Sequence, residues 1–329
     1  MTRPGAPDRF TVAPGGVLAG RTGVPGDKSI SHRAAILAAL AVGDSRVENF
    51  LEADDCLATL DALRQVGVIS ERLAPGEWRI VGVGQAALRA PAAALDLRNS
   101  GTGLRLLMGA LAGAPLQATL RGDASLSLRP MERVAAPLRA MGAGITTTDG
   151  MPPVTLRGAR PLRGIDWTCE VPSAQVKSAI LLAGLASGEE VVVREAHPTR
   201  DHTERLCAAF DIDCIVDDGR VRLGARRTPR PATIQVPGDI SAAAALIVGA
   251  AMSPGSDLTI ESVGLNPTRC ARWAPRSTAT SSATVARNPG ARCGCGARSC
   301  ARSSSPVPWS PTRSMSCRCS WSPRPRRVV

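Results

Sequence analysis

The stretch VPGDKSISHRAAILAAL at residues 24–40 sets the pattern of the chain, because a short polar loop opens directly into an Ala- and Leu-rich helix. Three later stretches repeat it: LRNSGTGLRLLMGAL at 97–111, VPSAQVKSAILLAGL at 171–185 and VPGDISAAAALIVGA at 236–250. Successive openings are about 65 to 75 residues apart. Recurrence at a nearly constant interval predicts a fold built from repeated units.

The sequence between two openings contains a second helix and then strand-like segments. CLATLDALRQVGV at 56–68 and RVAAPLRAMGAGI at 133–145 have the spacing of helices, whereas GEWRIVGV at 76–83 and MPPVTLRG at 151–158 are typical of strands. Each repeat therefore predicts a β-α-β-α-β-β unit of about 70 residues, which makes the fold class α/β. Three units fit before residue 236, and a fourth has only begun when the composition changes.

The composition changes abruptly near residue 270. The 329-residue chain has 40 basic and 28 acidic residues, but residues 270–329 hold 11 Arg and no Lys, Asp or Glu, so residues 1–269 carry a net charge of only +1. The same tail holds six of the ten Cys and no Leu, Ile or Phe. Without Leu or Ile it lacks the large aliphatic side chains that offset the entropy cost of ordering, so we expect a disordered basic arm or a sequence never selected to fold.

Several classes of protein are disfavoured. The N-terminal MTRPGAPDRF has no apolar run, and the apolar stretches near 179–186 and 242–252 fall short of the about 18 residues that span a membrane, so we expect a cytoplasmic chain. Three scattered His and tail cysteines without a CxxC pair argue against a metal site. GDKS lacks the Walker A spacing, and Pro91 would end a Rossmann helix after the VGVGQAA segment at 81–87 too early.

The helix openings share polar side chains that suit an anion. Helix N-termini expose unpaired N–H groups and a partial positive charge, so several of them converging would form an anion site. The candidates are Lys28, Ser29, Arg33, Asn99, Ser100, Thr102, Arg105, Ser173, Gln175 and Lys177, joined by Arg129 and Arg200 from two further loops. The Ser and Asn residues could equally be simple helix caps and the Arg residues solvated charges, so both interpretations stay open at this point.

Residues 20–269 contain seven motifs in a fixed order: PGDKSISHR, NSGTGLRLLMG, GDASLSLRPM, VPSAQVKSAILLAGL, PTRDHTERL, VPGDIS and GLNPTR. Together they resemble the 5-enolpyruvylshikimate-3-phosphate synthase family. The resemblance implies an enolpyruvyl transferase fold of two similar domains, each made of three repeat units around buried helices. On this basis residues 1–23 would be the first strand region of a split domain and 24–235 a complete domain. Residues 236–269 would start the return into the split domain, which stays incomplete, and 270–329 would be an aberrant tail.

The resemblance also implies a reaction of aromatic amino-acid and chorismate biosynthesis. An enzyme of this family, a 3-phosphoshikimate 1-carboxyvinyltransferase, moves the enolpyruvyl group of phosphoenolpyruvate to the 5-hydroxyl of shikimate 3-phosphate and releases phosphate, without metal or cofactor. By motif, the shikimate 3-phosphate site would contain Lys28, Ser29, Arg33, Ser173, Ala174, Gln175 and Arg200, and the phosphoenolpyruvate site Lys28, Gly101, Arg129 and Gln175. Lys28 would also carry protons in catalysis. The implied partners are the two small substrates, with neither membrane nor nucleic acid, and the full-length enzyme is expected to be a monomer.

The sequence departs from the family in two places. Arg98 stands where the family usually has Gly before the Asn. After Arg269 the family's Asp-Ala-Ile-Asp-Glu-type segment with its catalytic Asp, and its Val-Lys-Glu-Ser/Thr-Asp-Arg segment with its catalytic Glu, are missing, and Asp239 is no substitute because it resembles a helix cap. GC-rich back-translation of PWSPTRSMS at 308–316, read from the third base, gives Val-Val-Ala-Asp-Ala-Ile-Asp-Glu. We therefore expect a frameshifted or truncated chain with impaired activity and poor solubility.

Two other functions stay open. A sister enzyme that transfers enolpyruvyl to UDP-N-acetylglucosamine shares the architecture, although the seven motifs favour the shikimate enzyme. A non-catalytic nucleic-acid-binding protein could use the basic tail for phosphate contacts, but a chain with no Tyr and three Phe offers little base stacking.

Overall fold

A computed structural model describes residues 15–217 and 219–266, together with the backbone of three short strands further along the chain. The described helices are α1 (Lys28–Leu40), α2 (Asp54–Gln65), α3 (Gly101–Ala112), α4 (Glu132–Ala140), α5 (Ala174–Gly184), α6 (His202–Ala209) and α7 (Ile240–Met252), with single 3-10 turns at Gln85–Ala87 and Leu126–Leu128. The strands are β1 (Ala19–Thr22), β2 (Val42–Glu48), β3 (Ile69–Ala74), β4 (Glu77–Val83), β5 (Leu95–Asp96), β6 (Gln117–Arg121), β7 (Gly144–Thr148), β8 (Met151–Arg157), β9 (Ile165–Cys169), β10 (Val191–Glu195), β11 (Cys214–Asp217), β12 (Arg220–Leu223), β13 (Thr233–Gln235), β14 (Asp257–Ile260), β15 (Ala283–Thr284), β16 (Ala291–Cys295) and β17 (Cys317–Trp321).

Three four-stranded sheets share one topology. Their strand orders are β13-β2-β4-β3, β5-β6-β8-β7 and β9-β10-β12-β11. In each sheet the first two strands are parallel and the remaining neighbours antiparallel. Along the chain, β5-α3-β6-α4-β7-β8 and β9-α5-β10-α6-β11-β12 are β-α-β-α-β-β units, which confirms the predicted repeat and the α/β class. The unit around α1 takes its parallel edge strand, β13, from a segment almost 200 residues later.

The helices that follow the polar loops form the centre of these units. α1 buries 11 of its 13 residues, α3 10 of 12 and α5 10 of 11. A helix that buries nearly all of its residues is stable only when other elements surround it. The small Ala and Gly residues of these helices allow those elements to pack closely. At Gly109 on α3, an added Cβ would lie 2.3 Å from the backbone oxygen of Ala179 on α5.

The identical segments VPGD at 24–27 and 236–239 cross each other. The backbone N of Asp27 donates to the oxygen of Pro237 at 2.8 Å, and the N of Asp239 donates to the oxygen of Pro25 at 2.8 Å. Each Asp then caps a helix, Asp27 on α1 and Asp239 on α7, so the interpretation of Asp239 as a cap is confirmed. Gly26 must be Gly, because a Cβ there would lie 1.9 Å from the oxygen of Asn49.

A second, smaller apolar cluster follows this crossing. It contains Ala243, Ile247, Ala250, Leu258, Ile260 and Val263, separate from the cluster that spans Ile30 to Val236. On the opposite side of α7, Val248 and Met252 are 49% and 76% exposed. Apolar side chains exposed to this extent on an apolar helix lower solubility.

Three segments of the tail differ from the expected disorder. β17 pairs with β14, β16 with β17 and β15 with β16, all antiparallel, in one sheet with β1. The edge of β14 offers unpaired backbone N–H and C=O groups, which the backbone of an extended segment can satisfy whatever its side chains, and this is the physical reason for the difference. The rest of the predicted disordered tail lies outside the described residues.

Candidate active site

The N-termini of α1, α3 and α5 meet in one place, which we call the helix-terminus cluster and define by Lys28, Ser29, Arg33, Asn99, Gly101, Arg105, Arg129, Ser173, Ala174, Gln175 and Arg200. Contacts between helices establish it. His32 on α1 lies 3.4 Å from Ser100 Oγ at the start of α3, Gln175 on α5 contacts Thr102 on α3, and Arg33 on α1 contacts Ser178 on α5.

The opening of α1 presents Lys28 and Ser29. Lys28 Nζ lies 2.9 Å from Asp55 Oδ2 on α2, and the Lys28 side chain is 48% exposed. Ser29 Oγ accepts a hydrogen bond from Arg200 Nη1 at 3.4 Å. A partly exposed ion pair contributes at most about 1 kcal/mol, so an anionic ligand can compete with Asp55 for Lys28.

Arg33 lies one turn deeper and is only 3% exposed. Its guanidinium donates to Thr203 Oγ1 at 2.7 Å, to the backbone oxygen of Ser29 at 2.9 Å and to Ser178 Oγ at 2.8 Å. Burial, opposed by Glu204, lowers the pKa of Arg33 to about 10, so the group stays charged at neutral pH. Arg33 therefore holds the backbone of Ser29 from the interior side of the helix-terminus cluster, and it adds its positive charge to that cluster.

The opening of α5 connects to α3 through Gln175. Gln175 Oε1 accepts from Arg105 Nη1 at 2.9 Å, and its Nε2 donates to Thr102 Oγ1 at 2.9 Å. Ser173 caps α5, accepting from the backbone N–H three residues later at 3.4 Å, and Ala174 is the first residue of the helix. The simpler interpretation of Ser173 as a cap is thus correct in this structure, and a cap at an anion site serves both purposes.

The opening of α3 faces a group of arginines. A Cβ on Gly101 would lie 3.1 Å from Arg129 Nη1 and 3.3 Å from Arg105 Nη1. Arg129 Nη2 donates to Asn99 Oδ1 at 2.5 Å. Burial lowers the pKa of Arg105, and the cations Arg133 and Arg129 lower it further. An anion bound over Gly101 would relieve this repulsion.

Known proteins resemble this chain over most of its length. The family described as EPSP synthase (3-phosphoshikimate 1-carboxyvinyltransferase) matches residues 12–298 of the chain. This chain belongs to the EPSP synthase family. The 3-phosphoshikimate 1-carboxyvinyltransferases of Methylococcus capsulatus and Acidithiobacillus ferrooxidans are 52% and 53% identical to it over 261 residues, which is 79% of this chain and 60% of each relative. The structure of EPSP synthase from Acinetobacter baumannii aligns with a TM-score of 0.73 and 48% identity, covering 77% of this chain and 57% of that one.

The chain thus spans about 60% of the length of the curated EPSP synthases that it matches. The fold of the described units follows that of the solved EPSP synthases. The basic tail, on which a nucleic-acid-binding function would depend, lies outside the described residues apart from the backbone of three strands.

Two features of the helix-terminus cluster were not predicted from the sequence. Asp55 faces Lys28 from α2, and an acidic residue at the start of a helix carries no sequence signal beyond a favourable position near the helix dipole. His32 is fully buried between Thr59 Oγ1, 2.8 Å from its Nδ1, and Ser100 Oγ, and burial lowers its pKa to about 3. It is therefore a neutral histidine that connects α1, α2 and α3.

Arg98, where EPSP synthases usually have Gly, adopts a left-handed backbone with φ of +52°. Its N–H donates to Asp96 Oδ1 at 2.9 Å, its backbone oxygen accepts from Asp123 N at 2.7 Å, and its guanidinium lies 2.7 Å from Asp61 Oδ2. The left-handed region is where Gly is favoured over other residues. The loop therefore keeps the conformation that suits Gly, although the residue is Arg.

Lys177 was predicted to belong to the anion site, but the structure buries it away from the surface. It is 2% exposed and pairs with Glu195 and Glu204 at 2.6 and 2.7 Å. Burial alone would lower the pKa of Lys177, but the two carboxylates outweigh it and raise that pKa. Burial raises the pKa of Glu204, against the opposing effect of Lys177.

A cavity of about 450 Å³ lies between α4 and the end of β9, lined by Arg133, Trp167, Glu170, Val171 and Val176 among others. None of the predicted site residues lines it, although Val176 in its lining directly follows Gln175 on α5. Within residues 15–217 and 219–266, no group of three His, Cys, Asp or Glu side chains is placed to hold a metal ion. In the same part of the chain no helix has the length and apolar character needed to span a membrane.

Proposed function

We propose that this chain carries the substrate-binding half of an enolpyruvyl transferase that joins phosphoenolpyruvate to the 5-hydroxyl of shikimate 3-phosphate. The observation that supports this most strongly is the convergence of three helix N-termini with Lys28, Arg105, Arg129 and Arg200 at one surface. Two highly anionic substrates that share a site require such a surface, because each must be stripped of water and matched by N–H donors and positive charge.

The proposed roles follow the position of each residue. Shikimate 3-phosphate would bind Lys28, Ser29, Ser173, Ala174, Gln175 and Arg200, with Arg33 contributing its charge from below. Phosphoenolpyruvate would bind Lys28, Gly101, Arg129 and Gln175, where the absence of a side chain on Gly101 leaves room beside the Arg129 guanidinium. Lys28 is common to both sets. A cation between two anions can stabilise developing charge and carry a proton between them.

The proposed chemistry releases phosphate by addition and elimination. The Asp- and Glu-containing segments that the family uses are not found in residues 270–329. We propose that the coding frame changes after Arg269, so that the chain as written binds substrate but turns over slowly. Resequencing the coding DNA across codons 260–329 tests this: a continuous third-base frame encoding a Lys- and Glu-containing segment is expected, and its absence would refute the frameshift.

Calorimetric titration with shikimate 3-phosphate tests the binding function directly. Arg200→Gln should weaken affinity for shikimate 3-phosphate, and Arg129→Gln should weaken affinity for phosphoenolpyruvate, each by about tenfold or more, because each removes a charge-assisted hydrogen bond. Arg121→Gln on β6 is the matched control, since Arg121 is an exposed arginine paired with Asp96. Failure of the folded wild-type chain to bind millimolar shikimate 3-phosphate would contradict the proposal.

The proposal extends to the setting of the enzyme. The full-length protein is proposed to be a cytoplasmic monomer, which cell fractionation and light scattering of a frame-restored protein would test. Phosphate release at ordinary enzyme rates by the purified 329-residue chain would contradict the proposed impairment.

A further inference from the structure

A buried ion cluster lies beneath the N-terminus of α5 and takes no part in the chemistry proposed above. Lys177 Nζ is 2.6 Å from Glu195 Oε2 at the end of β10 and 2.7 Å from Glu204 Oε1 on α6. All three residues are less than a tenth exposed. Burying ions is costly, and apolar groups of similar volume are often at least as stable, so stability alone does not explain this cluster.

Glu195 connects this buried ion cluster to the loop that carries Arg200. Its Oε1 accepts a hydrogen bond from Thr199 Oγ1, and its Oε2 lies 3.4 Å from the backbone N of Thr199. Thr199 immediately precedes Arg200, whose guanidinium donates to Ser29 Oγ. A continuous set of polar contacts therefore runs from α5 through β10 to the opening of α1.

A second contact between α5 and α6 is made by Ser178 and Thr203, the sequence neighbours of Lys177 and Glu204. Ser178, next to Lys177, and Thr203, next to Glu204, lie 2.6 Å apart through their hydroxyls, and both accept hydrogen bonds from Arg33. One oxygen of Glu204, Oε2, is buried and has no hydrogen-bond partner within residues 15–217 and 219–266. Its other oxygen, Oε1, pairs with Lys177, so this ion pair and the Ser178–Thr203 contact both hold α6 against α5.

We propose that Lys177, Glu195 and Glu204 are positioning residues that hold the Arg200 loop against the N-terminus of α5, and that the affinity for the phosphate of shikimate 3-phosphate depends on them. This rests on the proposed function, because that function supplies the ligand. None of the three touches the ligand. They act by fixing the distance between Arg200 and the N–H groups of α5, since a charge-assisted hydrogen bond to the phosphate is lost when its donor is displaced, which weakens binding by about ten- to a hundredfold.

The test compares Glu195→Gln with Glu190→Gln in the full chain. Both changes remove one negative charge and keep the shape of the side chain, but Glu190 is exposed and lies just before β10. The first measurement is hydrogen exchange of residues 196–201 without ligand, and the second is the affinity for shikimate 3-phosphate by calorimetry. For Glu195→Gln we expect faster exchange in 196–201 and an affinity reduced by about ten- to a hundredfold, the equivalent of one charge-assisted hydrogen bond. Glu190→Gln should match the wild type in both.

Glu195→Asp provides the conservative variant, which keeps the charge and should recover part of the affinity. If Glu195→Gln does not fold, Glu204→Gln carries the same comparison from the other acid of the cluster. The proposal is overturned if the folded variant matches Glu190→Gln in exchange and affinity, or if affinity falls while exchange in 196–201 is unchanged. If the wild type binds no shikimate 3-phosphate, the proposed function fails, and the exchange measurement alone still decides whether the cluster positions the loop.

Discussion

Arg98 allows one backbone effect to be measured separately from the side-chain contacts around it. Its φ of +52° places it in the left-handed region, which costs an L-residue about 1–2 kcal/mol. Its ion pair with Asp61 joins side chains that are 46% and 39% exposed, so the pair contributes at most about 1 kcal/mol. Arg98→Ala removes the ion pair and keeps the strain, whereas Arg98→Gly removes both.

Relief of strain in the Gly variant is partly offset by the greater freedom of Gly in the unfolded chain, about 0.4–1 kcal/mol. We therefore expect the free energy of unfolding of Arg98→Gly to exceed that of Arg98→Ala by about 1 kcal/mol. Urea denaturation measures this difference, and the dependence of the free energy on urea concentration should be the same in both variants. The backbone bonds of residue 98 to Asp96 and Asp123 persist in both variants, so ligand affinity should not change. An Ala variant as stable as the Gly variant would refute the assignment of strain to this residue.

Three further predictions follow from the described contacts. Burial lowers the pKa of His32 and of His202 to about 3, so below pH 6.5 the unfolded chain binds protons that the folded chain does not. As the pH decreases from 6.5, the free energy of unfolding should therefore decrease by up to about 1.4 kcal/mol per pH unit for each histidine. Asp55→Asn removes the carboxylate that competes for Lys28 and should tighten shikimate 3-phosphate binding by up to about fivefold in calorimetry. Gly109→Ala places a Cβ 2.3 Å from the backbone of α5 and should cost about 1–3 kcal/mol of stability in urea denaturation.

Each of these has a matched control in the chain. His202→Gln should reduce the dependence of the free energy of unfolding on pH by the contribution of one histidine. An unchanged dependence would contradict the conclusion that His202 is buried in its neutral state. Asp44→Asn removes an exposed acid that pairs with Arg79, and it should leave ligand affinity unchanged. Gly188→Ala adds a Cβ that has no atom of the described residues within 4 Å, so a loss equal to that of Gly109→Ala would contradict the packing explanation.

The repeat was predictable because two independent periodicities in the sequence agree. The Ala- and Leu-rich stretches after 24, 97 and 171 became the three buried helices, and the strand-like segments at 76–83 and 151–158 contain β4 and β8. The partner of β2 was not predictable in the same way. β13 is only three residues long, and the pairing of a short strand depends on the rest of the fold rather than on its own sequence.

The residue types of the candidate site were predictable from the sequence, but whether each side chain faces the surface or the core was not. Arg33, Arg129 and Lys177 all stand near helix openings, yet Arg33 and Lys177 are buried, whereas Arg129 reaches the surface at Asn99. The side chains of Arg33 and Lys177 lie on the face of a fully surrounded helix, and sequence gives no polar face from which their direction could be read. Their acidic partners are no easier to find, because Glu195 and Glu204 approach from other elements.

The crossing of the two VPGD segments links these observations. Residues 233–235 must return to complete the sheet of β2, and the next four residues then cross 24–27 with reciprocal backbone hydrogen bonds. The same crossing sets the start of α1, and hence the position of Lys28 and Ser29, because Asp27 both accepts from α1 and donates to Pro237. The geometry of the helix-terminus cluster at α1 therefore depends on a chain segment that lies more than 200 residues away. The local sequence around Lys28 for this reason predicts an anion site but not the contacts that hold it.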